Sequence, residues 1–521
     1  MKKVLCVLLI VCGVSGALWA QGEMDALKYG RNEITGTARY MGMAGAFTSL
    51  GGDMSAVSQN PAGIGIYRSS EVVTTLNLGI NSSSLSMNGH TGSNDLWRLS
   101  FNNLGYVGTF ISESDGGLVS FNVGASYQKV KSFNRNYSIS GGNYMNSLSD
   151  YMAYYSNGIS EDRLFVKNED IDKSDSPYRN QDWLSVLGYN GYGFDPIGQF
   201  PSSEYQGLGR LNSSSMIVQE RGGIDEFSFT FGGNVSNVFY FGGSFNVSDI
   251  NYRMNSEYEE TFSGESESRY KLFNSLETRG VGYSGKLGII VRPTDEFRIG
   301  VAFHTPTWYF MSDYYDAEMR YRFKSSSNNE IVDDRAYTPY GVTDYSFRSP
   351  YKFLAGMSYV FGQKAIFSVD YDFSAFQSMS LSTRSGSEYS DNQFIKEDNK
   401  LSHTVKAGFE YRVTPEFSVR FGSAYQTSPS LDVLINNDIE TYTTGTVPHY
   451  TVDKGTFYGT MGAGYRFGNM FFDAAFALRS QTENFYPYSS IYDASQAPMF
   501  SPRGSLTHNT YNVVMTLGYK F

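Results

Sequence analysis

The chain has 521 residues, of which 18% are charged and 16% are aromatic, and it carries 54 glycines. The charged share lies below the usual value of about 25%, and the many Tyr and Phe side chains exclude a disordered chain and disfavour an ordinary helical enzyme. The formal net charge of -11 argues against a nucleic-acid-binding surface. After the N-terminus, no apolar run approaches the roughly 18 residues that a membrane helix needs.

The first segment of the chain, residues 1–20, has the layout of a secretory signal peptide. Two lysines precede a short apolar stretch, and small residues follow up to Ala20, after which we expect cleavage, with Ala17 as the alternative. Both cysteines of the chain, Cys6 and Cys12, lie in this segment. The mature chain therefore has no cysteine, which excludes disulfides, Cys-zinc sites and a cysteine nucleophile.

Residues 21–69 are small and Gly-rich and do not alternate like strands. They predict a compact segment with tight glycine turns and one short helix near 53–58, for which Asp53 is the expected N-cap. A segment of this length, placed before a barrel, is long enough to fill the lumen as a hatch.

Strand-like alternation dominates after residue 70, as in 365–374, where apolar side chains occupy every second position. Tight turns alternate with longer loops along the chain, which is typical of outer-membrane barrels with short periplasmic turns and long outer loops. The sequence therefore predicts an all-β fold, a 14-stranded antiparallel transmembrane β-barrel over residues 70–521 with the hatch in its lumen. The predicted strands are 70–87, 97–111, 118–137, 224–234, 238–261, 268–292, 296–323, 341–361, 364–384, 400–413, 416–427, 454–467, 469–480 and 506–521.

Phenylalanines stand beside most of the predicted tight turns, where interfacial aromatic girdles are found. The last predicted strand places alternate apolar residues on one face and ends at Phe521, which resembles the C-terminal signal read by the barrel-assembly machinery. A soluble β-sandwich also alternates, but it gives no reason for aromatics at each short turn.

The connection at 138–223 is too long for an ordinary loop. Helices are predicted at 148–156 and 183–187, so we expect a folded extracellular insertion; the alternative is a floppy surface loop.

The small-residue run at 38–47 and the element Asn60-Pro61-Ala62-Gly63 resemble the FadL family of outer-membrane transporters for long-chain fatty acids and other hydrophobic compounds. The strand around Asp370 and Asp372 is also similar to this family. The sequence departs from the family pattern at Gly52, where an acidic residue is common, and at Gln59, where an aromatic is expected. The hatch-motif residues are Arg39, Gly42, Gly45, Phe47, Asp53, Asn60, Pro61, Ala62 and Gly63.

The resemblance implies capture of hydrophobic ligands by outer loops and lateral exit through the barrel wall, without energy coupling. The opening of the family arises at a kink in the third strand. Gly124 is the matching candidate for a weakened ladder, because glycine in a strand often marks a bulge. Gly124 could equally make room for the hatch.

Parity places several charged side chains in the lumen: Lys286, Arg298, Asp370, Asp372, Arg420 and Arg466. They either hydrate the lumen and clamp the hatch, or include a cation that receives a ligand carboxylate. Trp308, Phe310 and Tyr314 are candidates for a ligand groove, with girdle or loop packing as the alternative.

Motifs for chemistry are nearly absent. The five histidines lack close metal-ligand spacing, and no nucleophile, base and acid can be grouped, so we expect no enzyme activity, no metal and no cofactor. Residues 280–287 come close to a P-loop, but Leu287 replaces its Ser/Thr and the stretch alternates as a strand.

The sequence thus predicts a monomeric barrel in the outer membrane of a Gram-negative bacterium that passively imports hydrophobic small molecules such as fatty acids. The partners expected besides the ligand are outer-membrane lipid, lipopolysaccharide, periplasmic chaperones and the barrel-assembly machinery, with no nucleic acid. The alternatives are a hydrophilic porin and a surface ligand-binding or adhesion barrel.

Overall fold

The structure, a computed structural model, describes residues 22–112, 117–141, 146–263, 268–325, 328–441, 443, 445–492 and 498–521. The predicted signal peptide lies outside the described residues. The main chain forms a closed antiparallel barrel of 14 strands, several of which are interrupted once. The last strand pairs with the first from Glu71↔Lys520 to Ser86↔Ser505, which closes the barrel.

The strands follow one another around the barrel in chain order. They are β1 (Glu71–Met87), β2 (His90–Ile111), β3 (Leu118–Ser132, continued by Arg135–Ser140), β4 (Leu211–Val235), β5 (Phe239–Phe262), β6 (Arg269–Val291), β7 (Phe297–His304 and Trp308–Lys324), β8 (Gly341–Arg348 and Lys352–Phe361), β9 (Ala365–Ala375 and Ser380–Thr383), β10 (Leu401–Arg412), β11 (Phe417–Thr427), β12 (Tyr450–Phe467), β13 (Met470–Tyr486) and β14 (Gly504–Lys520). We call the end with the tight turns, such as 236–238 and 468–469, the short-turn end, and the opposite end the long-loop end.

The predicted all-β barrel with 14 strands is confirmed, and most strand limits agree within a few residues. The largest difference is at β4, which was predicted from 224 and begins at Leu211, so the predicted insertion at 138–223 contributes strand at both of its ends. The reason is a change of phase along β4: the outward aromatics from Phe227 onwards are preceded by Asp225 and Gln219, while the inward positions become apolar at Val218 and Met216.

The hatch, residues 22–69 in the structure, lies inside the barrel. It contains α1 (Glu23–Gly30), α2 (Ala38–Gly42), α3 (Met54–Gln59) and a 3-10 turn at Pro61–Ile66. Asp53 caps α3, as the sequence predicted, by accepting from the N–H groups of Ser55 and Ala56.

Four further α-helices lie in the described residues of the long-loop end. They are α4 (Leu148–Ser156), α5 (Trp183–Asn190), α6 (Asn392–Asp398) and α7 (Asp432–Ile435). Two short strands, Phe194–Pro196 and Tyr205–Gly207, pair with each other, and Ile331–Tyr337 pairs with the end of β7. The insertion helix predicted at 148–156 is confirmed. Among the described residues, no helix combines the length and the apolar character that crossing a membrane would require.

The outward face of the short-turn half is a continuous apolar belt. Large side chains that would be buried in a soluble protein stand exposed on it, such as Phe229 (60%) and Leu287 (64%). Exposed phenylalanines line the edge of this belt at the short-turn end, including Phe361, Phe467 and the terminal Phe521. This is the surface expected of a barrel that sits in a lipid bilayer.

Candidate functional site

The hatch rests directly on the backbone of the barrel wall, because glycines occupy the inward positions beneath it. Gly232, Gly242 and Gly288 are paired in register on β4, β5 and β6. A Cβ at Gly288 would lie 1.8 Å from Oδ1 of Asn60, and one at Gly242 would lie 2.3 Å from the carbonyl oxygen of Pro61. Only glycine permits this approach, so the seat is built into the wall.

Asn60 ties the hatch motif to two strands at once. Its Nδ2 donates to the carbonyl oxygen of Thr48 at 2.7 Å and to those of Ile289 and Val301 at 3.3 Å each. Its Oδ1 accepts from the N–H of Ala62 and so starts the 3-10 turn. Pro61 begins that turn, and Gly63 packs against Gly51, where a side chain would clash with the backbone.

A buried ion network clamps α2 to the other side of the wall. Arg39 pairs with Glu410 of β10 at 2.9 Å, and Arg420 of β11 pairs with the same carboxylate at 2.6 Å. Arg420 also reaches Asp473 of β13 at 2.5 Å. Two guanidinium groups therefore face two carboxylates, and a partner is provided for each buried charge.

Asp370 of β9 forms a second clamp. Its Oδ2 accepts from the N–H and hydroxyl of Thr48 at 2.8 and 2.7 Å and from Nε2 of Gln59 at 3.0 Å. The FadL family is expected to carry an aromatic residue at the position of Gln59, whereas here the glutamine side chain donates a hydrogen bond to Asp370. Within the hatch, burial raises the pKa of Asp53, while Arg39 and the hydroxyl of Thr37 act in the opposite direction.

The ladder between β2 and β3 is interrupted near the middle of the barrel. The two strands pair from Ile111↔Ser120 to Asn103↔Gln128 and then part. Beyond that point, β2 keeps a backbone ladder with β1 alone among the described strands, whereas β3 shifts register at Lys129 and pairs with β4. Side-chain contact between β2 and β3 resumes at Asn94, whose Nδ2 donates to Oγ of Ser138 at 2.9 Å. We call the interval between 96–102 of β2 and 129–134 of β3 the wall break; within it, Nη1 of Arg98 donates to Oδ1 of Asn134 at 2.8 Å.

The hatch supplies the hydrogen bonds that β2 does not. The N–H of Glu33 donates to the carbonyl oxygen of Val130 at 3.2 Å, and Nζ of Lys131 donates to that of Lys28 at 2.6 Å. Nε2 of Gln128 donates to the carbonyl oxygen of Thr35 at 2.9 Å. The kinked part of β3 is therefore bonded to hatch residues 28–35, which couples the position of the hatch to the wall break.

Two cavities flank residues 28–35. One, of about 150 Å³, lies directly behind the wall break, where Lys131, Phe133 and Asn134 form part of its lining. The other, of about 160 Å³, lies between the hatch and strands β3 to β11. Glu33 borders both cavities.

Three basic side chains stand in one row on the wall of the second cavity. Lys286, His304 and Lys352 are directly paired across β6, β7 and β8. Lys286 is held by Glu226 at 2.5 Å, and Nε2 of His304 donates to the carbonyl oxygen of Gln59 at 2.7 Å. The side chain of Lys352 makes no hydrogen bond or ion pair within the described part of the chain, although it is half-buried and lines the cavity.

The structure places the remaining predicted site residues as follows. Arg298 donates to the carbonyl oxygen of Leu50 at 3.2 Å, and Asp372 pairs with Lys406. Arg466 is exposed at the short-turn end. A Cβ added at Gly42 would lie 3.5 Å from Cβ of Arg420. Gly45 adopts a φ of +71°, which favours glycine. Phe47 and Ala62 are fully buried.

The expectation at Gly124 needs correction. Gly124 is paired on both sides, with Val107 and Thr230, and its Cβ position lies 3.0 Å from Cδ1 of Ile64 in the hatch. It makes room for the hatch, and the ladder fails further along the strand. Gly222 on the neighbouring strand has a φ of +112° opposite the kink, so a glycine does mark the irregularity, but on β4.

Trp308 and Phe310 lie on the outward face of β7, with 49% and 53% of their surface exposed. Strand alternation directs their neighbours Tyr309 and Met311 inward instead. Tyr314 packs beside Tyr340 at a ring-centre distance of 6.3 Å. These three aromatics therefore do not line the lumen cavities. Within the described residues, no group of three or more His, Cys, Asp or Glu side chains could hold a metal ion.

The sequence interpretation missed the glycine seat and Lys352. The seat had a visible signal, since glycines recur at inward positions of strands whose outward positions are aromatic. No sequence signal identified Lys352. Whether this lysine has an ion-pair partner depends on where the side chains of Glu226 and Asp372 lie in three dimensions.

These features define a closed barrel whose lumen is filled by its own N-terminal segment and whose wall is interrupted beside that segment. A FadL homologue of Pseudomonas aeruginosa has a similar structure, with a TM-score of 0.50 and 13% sequence identity over 94% of this chain and 100% of that one. The chain therefore has the fold of a FadL-type barrel.

Two further solved structures are similar to a lesser degree. The toluene transporter TodX of P. putida gives a TM-score of 0.49 at 12% identity, over 94% of this chain and 99% of that one. The toluene transporter TbuX of Ralstonia pickettii gives 0.46 at 14% identity, with the same coverage. No protein-family profile and no curated protein matches the sequence.

Proposed function

We propose that this protein is an outer-membrane channel for the passive uptake of hydrophobic compounds such as long-chain fatty acids, with lateral exit through the barrel wall. The observation that carries the proposal is the wall break, because it joins an interrupted ladder to a cavity and to the hatch. A ligand that leaves there enters the bilayer directly and never crosses the polar hatch seat.

Lateral exit also agrees with the closure of the barrel axis. The glycine seat and the Arg39 and Asp370 clamps fill the short-turn half of the lumen. A hydrophilic porin needs an open water-filled lumen, which this arrangement does not provide. The long-loop end supplies the capture surface, and the short-turn end faces the periplasm.

Lys352 supports a ligand with an anionic head group. Around it, Lys286 and Lys406 are neutralised by Glu226 and Asp372, so among the described residues Lys352 is the lysine of this group without an ion pair. A carboxylate placed there would form a charge-assisted hydrogen bond, and a neutral hydrocarbon would not. An acyl chain could then extend towards the cavity behind the wall break.

The test is uptake of labelled oleate by cells that lack their own fatty-acid channel and express this protein. Methyl oleate, which has the same chain without the charge, is the paired probe. We expect Lys352→Met to lower oleate uptake about tenfold at limiting concentration, equivalent to about 1.4 kcal/mol, and to leave methyl oleate unchanged.

Lys364→Met is the matched control, because Lys364 is an exposed lysine in a short turn. Equal loss of both probes with Lys352→Met would remove the carboxylate role but keep the channel. No saturable uptake of either probe by the assembled wild-type barrel would overturn the transport function and favour a surface-binding barrel.

A further inference from the structure

The outward face of β13, β14 and β1 changes abruptly along the strands. The last row of the apolar belt contains one apolar residue from each strand: Leu478, Tyr511 and Ile80. Towards the long-loop end, the next three outward rows consist only of Ser, Thr and Asn. Thr482, Thr507 and Ser84 form the middle row, and the residues two positions before and after each of them form the other two. We call these nine residues the polar face.

Most side chains of the polar face are free to bind a ligand. Nδ2 of Asn484 donates to the carbonyl oxygen of Ile435 at 2.8 Å, and Oγ of Ser86 accepts from Thr91 at 3.1 Å. The other seven side chains make no hydrogen bond among the described residues. Hydroxyl and amide groups both donate and accept, so the face suits a ligand that is itself rich in hydroxyl groups.

A pocket of about 290 Å³ lies at the long-loop end of the polar face, where Ser86, Asn484 and Ser505 form part of its wall. Lys454 and Arg503 also line this pocket; both are exposed and form no ion pair among the described residues. Lys454 lies in the bulge of β12, and Arg503 immediately precedes β14. No carboxylate from the described part of the chain lines the pocket. The pocket therefore attracts an anionic group.

The other side of the barrel differs at this level. Outward charges of β5, β6 and β7 pair with each other: Arg253 with Glu277 at 2.9 Å, Lys271 with Glu257 at 2.7 Å and Arg320 with Glu318 at 2.6 Å. The polar face contains no ionisable side chain, and Asp95 of β2 borders only its row nearest the belt, beside Ser82. Unpaired positive charge above a neutral hydroxyl surface thus distinguishes β13, β14 and β1.

The height of the pocket above the belt limits what fits there. Asn484 follows Leu478 by six residues, which is about 20 Å along the strand. At a strand tilt of about 40° this is roughly 15 Å along the membrane normal. A phosphate attached close to the acyl chains stays at the edge of the belt. Only an extended head group contacts the polar face and reaches Lys454 and Arg503.

We propose that the polar face and its pocket bind the anionic oligosaccharide head group of a glycolipid in the outer leaflet. Sugar hydroxyls lie on the polar face, and a phosphate or carboxylate of the head group forms charge-assisted hydrogen bonds with Lys454 and Arg503. The acyl chains of the glycolipid remain beside the apolar belt. This site rests on the orientation given above, with the long-loop end outside, and is independent of the transported ligand.

The experiment is native mass spectrometry of the mature barrel in a non-ionic detergent, titrated with rough lipopolysaccharide that carries a phosphorylated core oligosaccharide. Lipid A, which keeps the acyl chains and their phosphates without the core, is the second arm. The core oligosaccharide released from lipid A by mild acid is the third. We expect the wild type to retain the rough lipopolysaccharide at least tenfold more strongly than either part.

The double variant Lys454→Gln with Arg503→Gln should lower retention of the rough lipopolysaccharide about tenfold and leave that of lipid A unchanged. Lys167→Gln with Arg210→Gln is the matched control, because it removes the same charge from exposed positions of the predicted insertion. Oleate uptake by the Lys454 and Arg503 variant should equal that of the wild type. A loss of uptake would assign this face to the transport path instead.

A second variant tests the polar face itself. Thr482→Val with Thr507→Val nearly preserves side-chain volume and removes two neighbouring hydroxyls, so retention of the rough lipopolysaccharide should fall about threefold. Thr74→Val, within the apolar belt on β1, should have no effect.

Circular dichroism and heat-dependent gel mobility identify the variants that fold. The site would be overturned if the wild type retained rough lipopolysaccharide and lipid A equally, or if the folded Lys454 and Arg503 variant matched the wild type. Retention of the released core as strong as that of the intact glycolipid would overturn the assignment to a membrane lipid.

Discussion

The two halves of the hatch are held in different ways. Residues 36–66 touch wall backbone at inward glycines and are locked by buried side-chain clamps to Glu410 and Asp370. Residues 23–35 lie between two cavities and bond to the kinked part of β3, while Arg31 pairs with Asp453 of β12 and Glu33 with Arg479 of β13. The first half closes the axis of the barrel, and the second half completes a wall strand that has lost its partner. Closure and passage are therefore assigned to different parts of one short segment.

The largest effect should come from filling the glycine seat. A valine at Gly288 would place its Cβ 1.8 Å from Oδ1 of Asn60. Asn60 cannot move away without losing its hydrogen bonds to β6 and β7. We expect Gly288→Val to unseat residues 36–66 and to raise the ion conductance of the purified barrel in planar bilayers at least tenfold.

The control for that measurement is on the same strand. Gly285 is an outward position whose closest neighbours lie 3.8 Å from a built Cβ. Gly285→Val should therefore leave the conductance at the wild-type level. A Gly288→Val barrel as tightly closed as the wild type would show that the seat does not hold the hatch.

The ion network should give the next largest effect. Arg39→Met leaves Glu410, Asp473 and Arg420 with one excess buried negative charge, which costs about 3–5 kcal/mol when a buried pair is broken. Hydrogen exchange of α2 and α3 should accelerate accordingly, while exchange in β10 to β13 changes little. Adding Glu410→Gln should restore part of the protection, whereas Arg412→Met, on the exposed end of β10, should have no effect.

The smallest effect concerns α1, in the half of the hatch beside the two cavities. Burial raises the pKa of Glu23 to about 8, with smaller contributions from Asp398 and Asp391. The seated helix binds a proton that the released helix gives up near pH 4.5, so seating is strongest below that pH and weakens as pH rises through 8. We expect α1 amides to be at least tenfold less protected at pH 8.5 than at pH 5.5, after correction for intrinsic exchange rates.

Glu23→Gln keeps the shape of the side chain and removes its titration. Its α1 protection should be the same at both pH values. A pH dependence that persists in this variant would assign the effect to another group and not to Glu23.

Much of the barrel could be predicted from alternation alone, because a wall with lipid on one side and polar lumen on the other imposes a period of two. The predicted start of β2 was wrong because that contrast ends there. The outward residues of β2 before residue 97 are Thr, Ser and Asp, so the part of the strand from His90 to residue 96 was not recognised. The Asp53 cap was predictable because it depends on the next three residues only.

The wall break was not predictable from local sequence. A glycine within β3, Gly124, was the visible candidate, but the kink depends on a register shift at Lys129 and on Gly222 of the neighbouring strand. The kinked part of β3 also depends on hydrogen bonds to Glu33 and Thr35, which lie about one hundred residues earlier in the chain. Such long-range pairing leaves no short-range signal.

The most direct test of lateral exit is to close the wall break reversibly. Arg98→Cys with Asn134→Cys places thiols on the two residues whose side chains bridge the break, in a mature chain that is expected to have no other cysteine. A bifunctional methanethiosulfonate reagent would join them, and a reductant would release them. The control pair, Tyr106→Cys with Ala125→Cys, lies in the continuous part of the same ladder.

If the ligand leaves through the wall break, the cross-link should lower oleate uptake at least tenfold and reduction should restore it. The control pair should transport normally throughout. Undiminished uptake with the break cross-linked would contradict lateral exit and would require a path through the hatch.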